Sequence, residues 1–448
     1  MMRYERYKPS NLEWLPTLPE HWSILRLKDL GNLQNGISNG KDYFGFGFPF
    51  VSYGNVYNDA IRLSEISTLA NSTKEEQKVY SVLEGDVFFT RTSETIDEIG
   101  IASTCQITIP KATYSGFTIR LRPKPRLIVK EFSRFFFRAN INRQFLSKEI
   151  SLVTRASLSQ NLLSNLPVLL PSQLEQTAIA QYLDSKTQAI DKKINLLTQK
   201  ANYYKELRKS IINDAVCKGL EKNAKLKESG IDWIGKIPEH WEVKRLKALG
   251  EIESSSVNKK IEEDEELVKL VNYTDVYGNM NKEIWNNDNY MVVSANKLQV
   301  RYKRLRQGDV LFTPSSETIE DIGVSAVVME DLKNTLYSYH ILRLKFTIKM
   351  QLNFKKYLFN NDFVQEYFSK SATGTTRKIL GLNTFYNLPI VYPPTIKEQT
   401  AIANYLDEKT QKIDAIVSNI GKQIDILKEL RKTLINDVVT GKIKVANN

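Results

Sequence analysis

Cysteine and histidine are scarce in this chain, with two of the first and three of the second in 448 residues. Cys105 and Cys217 cannot by themselves build a disulfide framework or a zinc cluster. The histidines show no metal-ligand spacing, and two of them, His21 and His240, belong to a repeated phrase. No apolar run approaches the roughly 18 residues that a membrane-crossing helix needs. The opening MMRYERYKPSNLEW lacks the apolar core of a secretion signal. The cytoplasm is therefore the expected location, with no membrane partner. A G-x-x-x-x-G-K-[ST] phosphate loop is missing, and so is the N/D-P-P-Y/F segment with which many adenine methyltransferases hold their target amine. Gly45 and Gly47 in FGFGFPF stand without the rest of a dinucleotide fingerprint. Acidic residues also fall short, 51 against 63 basic ones, for a net charge of +12. Such an excess points to a polyanion, with nucleic acid ahead of a membrane surface.

What the chain does have is a second copy of itself. LPEHWSILRL at 18–27 returns as IPEHWEVKRL at 237–246, and Trp14 returns as Trp233, 219 positions on. GDVFFTRTSETIDEIG (85–100) returns as GDVLFTPSSETIEDIG (308–323), and Tyr114-Ser115 returns as Tyr337-Ser338, both at an offset of 223. A period this long lies far outside solenoid repeats. It marks a duplicated two-part unit, and the length alone allows roughly two to four domains.

The first part of each unit mixes short apolar runs (VFFT, TIRLRP, VLFT, ILRLKF) with helix-like runs such as EFSRFFFRANINRQFLSKEI. It reads as a mixed α/β (α+β) globule. The second part reads as one long helix. Ser172 and Thr395 can cap its start, and Glu175 and Glu398, three residues on, can return a bond to the cap's own N–H. Gly219 and Gly441 are the stops. Between them an apolar stripe recurs at alternating steps of four and three. It runs from Leu183 through Thr187, Ile190 and Arg208 to Ala215, and from Leu406 through Thr410, Ile413 and Arg431 to Val438. About five heptads of this pattern predict a coiled coil, each helix roughly 60 Å long. The two stripes match in register and can bury each other as an antiparallel pair. A seam arginine reads first as a snorkelling side chain, with a register role as the alternative. The expected layout is a globular domain at 1–171, a helix at 172–217, an exposed linker at 218–230, a second globular domain at 231–394 and a second helix at 395–441.

The copies do not diverge evenly. Within EQTAIAQYLDSKTQAID and its echo only Gln181/Asn404, Ser185/Glu408 and Ala189/Lys412 differ, at solvent-facing positions. The stretches after the opening phrase, GNLQNGISNGKDYFGFGFPFVSYGNV and GEIESSSVNKKIEEDEELVKLVNYTDV, share little. A constant scaffold with unlike faces suits a chain that reads two different short DNA sequences at a fixed separation.

These motifs resemble those of the specificity subunit of type I restriction–modification systems, over essentially the whole chain. The matching parts are W-x-G-x-I-P-x-x-W (Trp233 to Trp241, looser at Trp14 to Trp22) and L-P-x-x-x-P-x-x-x-E-Q-x-x-I-A-x-x-L-D (Leu166 to Asp184). The latter recurs from Leu388 to Asp407 with one extra residue. The resemblance implies two target-recognition domains, each reading half of a split, asymmetric site, and helices that form an antiparallel ruler. It implies double-stranded DNA, two methyltransferase subunits and restriction/translocase subunits as partners. No cofactor is expected in this chain; S-adenosylmethionine, ATP and Mg²⁺ are expected in the partners. The chain is then no enzyme. The alternatives are a DNA-cleaving or DNA-methylating enzyme in its own right, or a structural coiled-coil protein with duplicated binding heads. Asp232 with Glu242-Val243-Lys244 mimics a nuclease site, but copy one has Ser23-Ile24-Leu25 at the corresponding place, so it reads as framework.

Phosphate contacts draw on Lys, Arg, hydroxyls and backbone N–H, and base readout on Arg, Lys, Asn and Gln. Two repeated places supply these groups. One follows the GDV strand: Arg91, Thr92 and Ser93, with Ser315 and Ser316 in copy two, where Pro314 replaces the arginine. Its structural alternative is a turn with capping hydroxyls. The other precedes the L-P motif: Arg155 and Ser157, with Thr376, Arg377 and Lys378. Lys41, Tyr43, Lys259 and Lys260 lie in the divergent stretches. The Trp and His of P-E-H-W read as core and turn fixtures.

Overall fold

The computed structural model describes residues 2–93, 95, 98–149 and 156–445. The chain divides into two compact units, Met1–Thr198 with Lys422–Asn448, and Gln199–Gly421. Each unit takes one half of each long helix.

The first unit carries a five-stranded sheet in the order Gly31–Asn35, Thr118–Pro123, Val87–Thr90, Ala102–Cys105, Ala60–Ile61. The second repeats it as Gly250–Ser254, Leu342–Phe346, Val310–Phe312, Ser325–Val328, Glu283–Ile284. In both, only the last pairing is parallel. A three-stranded sheet also recurs, with Phe44–Val51 central in one and Glu266–Val271 central in the other. The repeated G-D-V phrase starts the central strand of each large sheet. Gly85 and Gly308 turn at positive φ, where a side chain would be strained. The next residue, Asp86 or Asp309, accepts the backbone N–H of Leu83 or Arg306 and closes the turn. Phenylalanine-rich helices cover the sheets: Lys130–Phe136 in the first unit and Leu352–Phe359 in the second.

The long helices span Gln173–Lys218 and Ile396–Val439. Every predicted seam residue is buried or half-buried, and the positions that differ between copies (181, 185, 189 and 404, 408, 412) are exposed. In the first unit Leu183 and Ile190 share a core with Leu434 and Val438; in the second Ile212 and Ala215 share one with Ile402 and Leu406. The start of each helix therefore lies with the end of the other, which is antiparallel pairing. The seam arginines do not snorkel alone. Arg431 reaches Asp191 at 2.9 Å in the first unit, and Arg208 reaches Asp414 at 3.0 Å in the second.

The capping-box expectation holds by half. Ser172 and Thr395 do accept the backbone N–H of Glu175 and Glu398, at 3.3 Å each. The two carboxylates, however, turn to the opening phrase. Glu175 accepts Trp22 Nε1–H at 3.1 Å, pairs with His21 Nε2 at 2.9 Å and accepts the Tyr4 hydroxyl. Glu398 accepts Trp241 Nε1–H at 2.9 Å and pairs with His240 Nε2 at 2.9 Å. A buried indole N–H needs an acceptor, and the charged oxygen outcompetes a local backbone cap. Both tryptophans are fully buried. Gly219 and Gly441 end the helices at positive φ, and each backs onto a tryptophan of the other repeat, Trp241 and Trp22 respectively. The neighbouring Gln176 and Gln399 are buried and accept the N–H of Val129 and Gln351 at the starts of the covering helices. The motif's final Asp184 pairs with Arg134, and Asp407 with Lys356 at 2.7 Å.

The expected linker is partly structured. Lys218 still belongs to the first long helix, and Leu226–Glu228 pairs antiparallel with Lys236–Pro238. Among the described residues no helix is long and apolar enough to cross a membrane.

Candidate nucleic-acid interface

The two places singled out in each copy come together as a two-stranded ribbon. In the first unit Thr92 pairs with Ser157 and Ser93 with Ala156. In the second Ser315 pairs with Ile379 and Ser316 with Lys378. The ribbons are bound to the large sheets in the same way, Leu158 N–H to Arg91 O at 2.7 Å and Leu380 N–H to Pro314 O at 2.8 Å. Segments more than sixty positions apart thus form one small surface in each unit, and equivalent residues occupy it.

Two further elements frame that surface. Tyr53 donates its hydroxyl to Thr92 O at 2.9 Å, and Tyr57 donates to Tyr53 at 3.2 Å. Their counterparts Tyr273 and Tyr277 stack with ring centroids 5.4 Å apart. Tyr273 also bonds to Ser316, while burial raises its phenol above the ordinary tyrosine range. The second element is the loop after the buried Tyr114-Ser115 and Tyr337-Ser338, which carries Phe117 in one unit and His340 in the other. Arg91 N–H donates to Phe117 O at 2.9 Å, so the ribbon and the loop are joined.

The family model of the type I restriction modification DNA specificity domain matches residues 19–200 and 238–425. The chain belongs to this family. It is 22% identical over 451 residues to the type I restriction enzyme MjaVIII specificity subunit of Methanocaldococcus jannaschii, covering 98% of both chains. It is 22% identical to the EcoKI specificity subunit of Escherichia coli K12, covering 95% of this chain and 90% of that one. In fold it is similar to a chain solved for complex assembly and conformational transition of the type I R-M system (TM-score 0.68, 15% identity, 95% of this chain and 99% of that one). It is also similar to the HsdS subunit from Thermoanaerobacter tengcongensis (TM-score 0.53, 15% identity, 95% and 98%).

Within this specificity-domain frame the predicted residues divide. Ser157, Thr376 and Arg377 are exposed, and Arg91, Thr92, Ser315 and Lys378 are half-buried. Lys378 Nζ donates to Gly374 O at 2.7 Å, which folds it back on its own turn. Ser93 and Ser316 are buried, and their hydroxyl oxygens accept the N–H of Thr95 and Thr318. Those two follow the structural alternative of a capped turn, so their side chains leave the exposed set. Arg155 lies outside the described residues.

Of the residues in the divergent stretches, Lys41, Lys259 and Lys260 are exposed. Tyr43 donates its hydroxyl to Glu76 at 3.1 Å, and partial burial with that bond lifts its pKa to about 12, so it is engaged internally. Lys259 and Arg377, 118 positions apart, both act on His340. Desolvation first, then these two cations, hold its imidazole below the usual histidine range. Glu242 of the nuclease-like trio is held by Lys244 at 2.6 Å and Tyr392 at 2.8 Å on the outer strand Glu242–Arg245.

The four tyrosines and the Phe117/His340 loop escaped the sequence reading. A signal was present: VSYGNVY (51–57) and VNYTDVY (271–277) keep V-x-Y-x-x-V-Y inside stretches that otherwise fail to align.

Proposed function

We propose that this specificity subunit reads a bipartite, asymmetric DNA site, one half with each unit, within a type I restriction–modification complex. One observation carries the reading. The ribbon, tyrosine pair and loop recur on the same frame in both units, while the exposed or half-buried side chains on them differ: Arg91 against Pro314, Ser157 against Ile379, Phe117 against His340. Equal frames with unequal faces are what two different half-sites require. Exposed Lys259, Lys260 and Arg377 and the net charge of +12 supply the phosphate-binding component.

Two methyltransferase subunits dock with this chain, and restriction/translocase subunits complete the assembly. S-adenosylmethionine, ATP and Mg²⁺ serve those partners. The paired long helices set the spacing between the half-sites. The test is methylation mapping in cells that express the chain with its partner subunits. A split motif with two unlike halves is expected, and methylation should vanish when this chain is omitted. A continuous or palindromic motif, or modification of DNA by the purified chain alone, would overturn the proposal.

A further inference from the structure

We propose that the second residue after the buried Tyr-Ser turn, Phe117 in the first unit and His340 in the second, is a base-reading position. It is an apolar reader in one unit and a hydrogen-bonding reader in the other. The inference rests on the DNA-binding reading of these faces and deepens it to named side chains.

The argument starts from where the two copies part. Tyr114-Ser115 and Tyr337-Ser338 are identical and buried, and each tyrosine lies in a strand parallel to the same central strand. Immediately afterwards the chain reads Gly116-Phe117 in one unit and Tyr339-His340 in the other, before the shared strand resumes. The backbone frame is constant and the chemistry of the tip is not.

Phe117 is 60% exposed, yet its backbone is held at both ends. Its N–H donates to Ser115 Oγ at 3.2 Å and its carbonyl accepts Arg91 N–H at 2.9 Å. Arg91 also sends its guanidinium toward Gly116 O at 3.4 Å. An isolated exposed apolar side chain is ordinary on a protein surface. One presented on a doubly anchored loop beside a polar ribbon is a fixed apolar probe, suited to a thymine methyl or a base face.

In the second unit Pro314 stands where Arg91 stood and has no N–H to give. The loop keeps the anchor that both units share, Tyr339 N–H on Val257 O at 3.1 Å, the counterpart of Gly116 N–H on Ile37 O at 2.7 Å. The Arg91-to-Pro314 exchange therefore removes one anchor of the loop and leaves the common one in place. His340 packs on Tyr339 with ring centroids 3.9 Å apart and lies within the electrostatic reach of Arg377 and Lys259. Burial first, then the charges of Arg377 and Lys259, hold the imidazole below the usual histidine range and so favour its neutral form. A neutral ring offers one donor and one acceptor, which a base edge can match. The neighbouring cations suit phosphate oxygens instead.

The test uses the assembled methyltransferase complex carrying Phe117→Ala, His340→Phe or Arg377→Ala. Genomic methylation is mapped, and methylation rates are measured on duplexes with single substitutions in each half-site. Phe117→Ala is expected to lose about tenfold or more of the discrimination at one base pair of one half-site. His340→Phe should do the same in the other half-site, and each should spare the half that the other affects. The inference is overturned if either variant leaves the recognised sequence unchanged, or if both alter the same half. Arg377→Ala separates the two levels. If it weakens binding while the loop variants change nothing, the face binds DNA but is read elsewhere. If it too has no effect, the DNA-binding reading of the face falls with the inference.

Discussion

Arg208 of the first long helix lies 3.0 Å from Asp414 of the second, and the repeat-equivalent pair, Asp191 and Arg431, is bonded the opposite way round at 2.9 Å. Each repeat's arginine is thus neutralised by the other repeat's aspartate. All four side chains are partly exposed, so each pair contributes only about 0.2–1 kcal/mol. Arg208→Asp places two acids together and should lower stability by a similar amount. Adding Asp414→Arg should restore it. Urea unfolding of the two singles and the double variant measures this, and a double variant no better than the singles would show that the pair does not act as one.

Removing Glu398 should cost more. Its carboxylate is the acceptor for the fully buried Trp241 indole and for His240. Glu398→Ala leaves the indole N–H without its partner, a loss of about 1–3 kcal/mol. Calorimetry should show the transition that contains the second unit falling by several degrees. His240→Ala, whose side chain is about half exposed, should change it little.

Lys355 gives the pH prediction. It is buried, its Nζ donates to Gly308 O at 2.8 Å, and it sits over the Phe346 ring at 4.7 Å. Desolvation pulls its pKa down to about 8, opposed by Asp309. An unfolded lysine titrates near 10.4, so across about pH 8 to 10 the unfolded chain binds more protons and this group's contribution to stability rises with pH. Below pH 8 the full cost of burying the charge applies. Lys355→Met should therefore flatten the pH dependence, its stability relative to the parent falling as pH rises from 7 to 10. Parallel curves in urea titrations at pH 7, 8.5 and 10 would refute this.

Lengthening both long helices by one heptad adds about 10.5 Å to each at 1.5 Å per residue. With DNA rising about 3.4 Å per base pair, the gap between half-sites should widen by about three base pairs, with the halves themselves unchanged. Methylation mapping reads the gap directly, and an unaltered gap would remove the spacing role of the helices.

The repeat carried much of the fold on its face. The GDV strands, the heptad stripe and the stops at Gly219 and Gly441 all stand where periodicity and turn chemistry put them. Long-range partners did not show. Glu175 looks like a local cap because Ser172 is three residues away, while its stronger partner, Trp22, lies 153 positions upstream. Arg208 looks like an interruption of the seam because a single helix does not display the Asp414 opposite. Ribbon residues such as Thr92 and Ser157 could be picked out singly from hydroxyls and cations, but their pairing belongs to the fold. The four tyrosines were hidden because a short constant phrase sat within stretches that had drifted apart.

The glycine stops have one more consequence. Gly441, at the end of the second repeat, backs onto Trp22 of the first, and Gly219, at the end of the first, backs onto Trp241 of the second. A lone repeat would hold a tryptophan without its lid and a lid without its tryptophan. Two identical copies could lend each other both. A half-length chain of this design would therefore close over its tryptophan only in the company of a second copy.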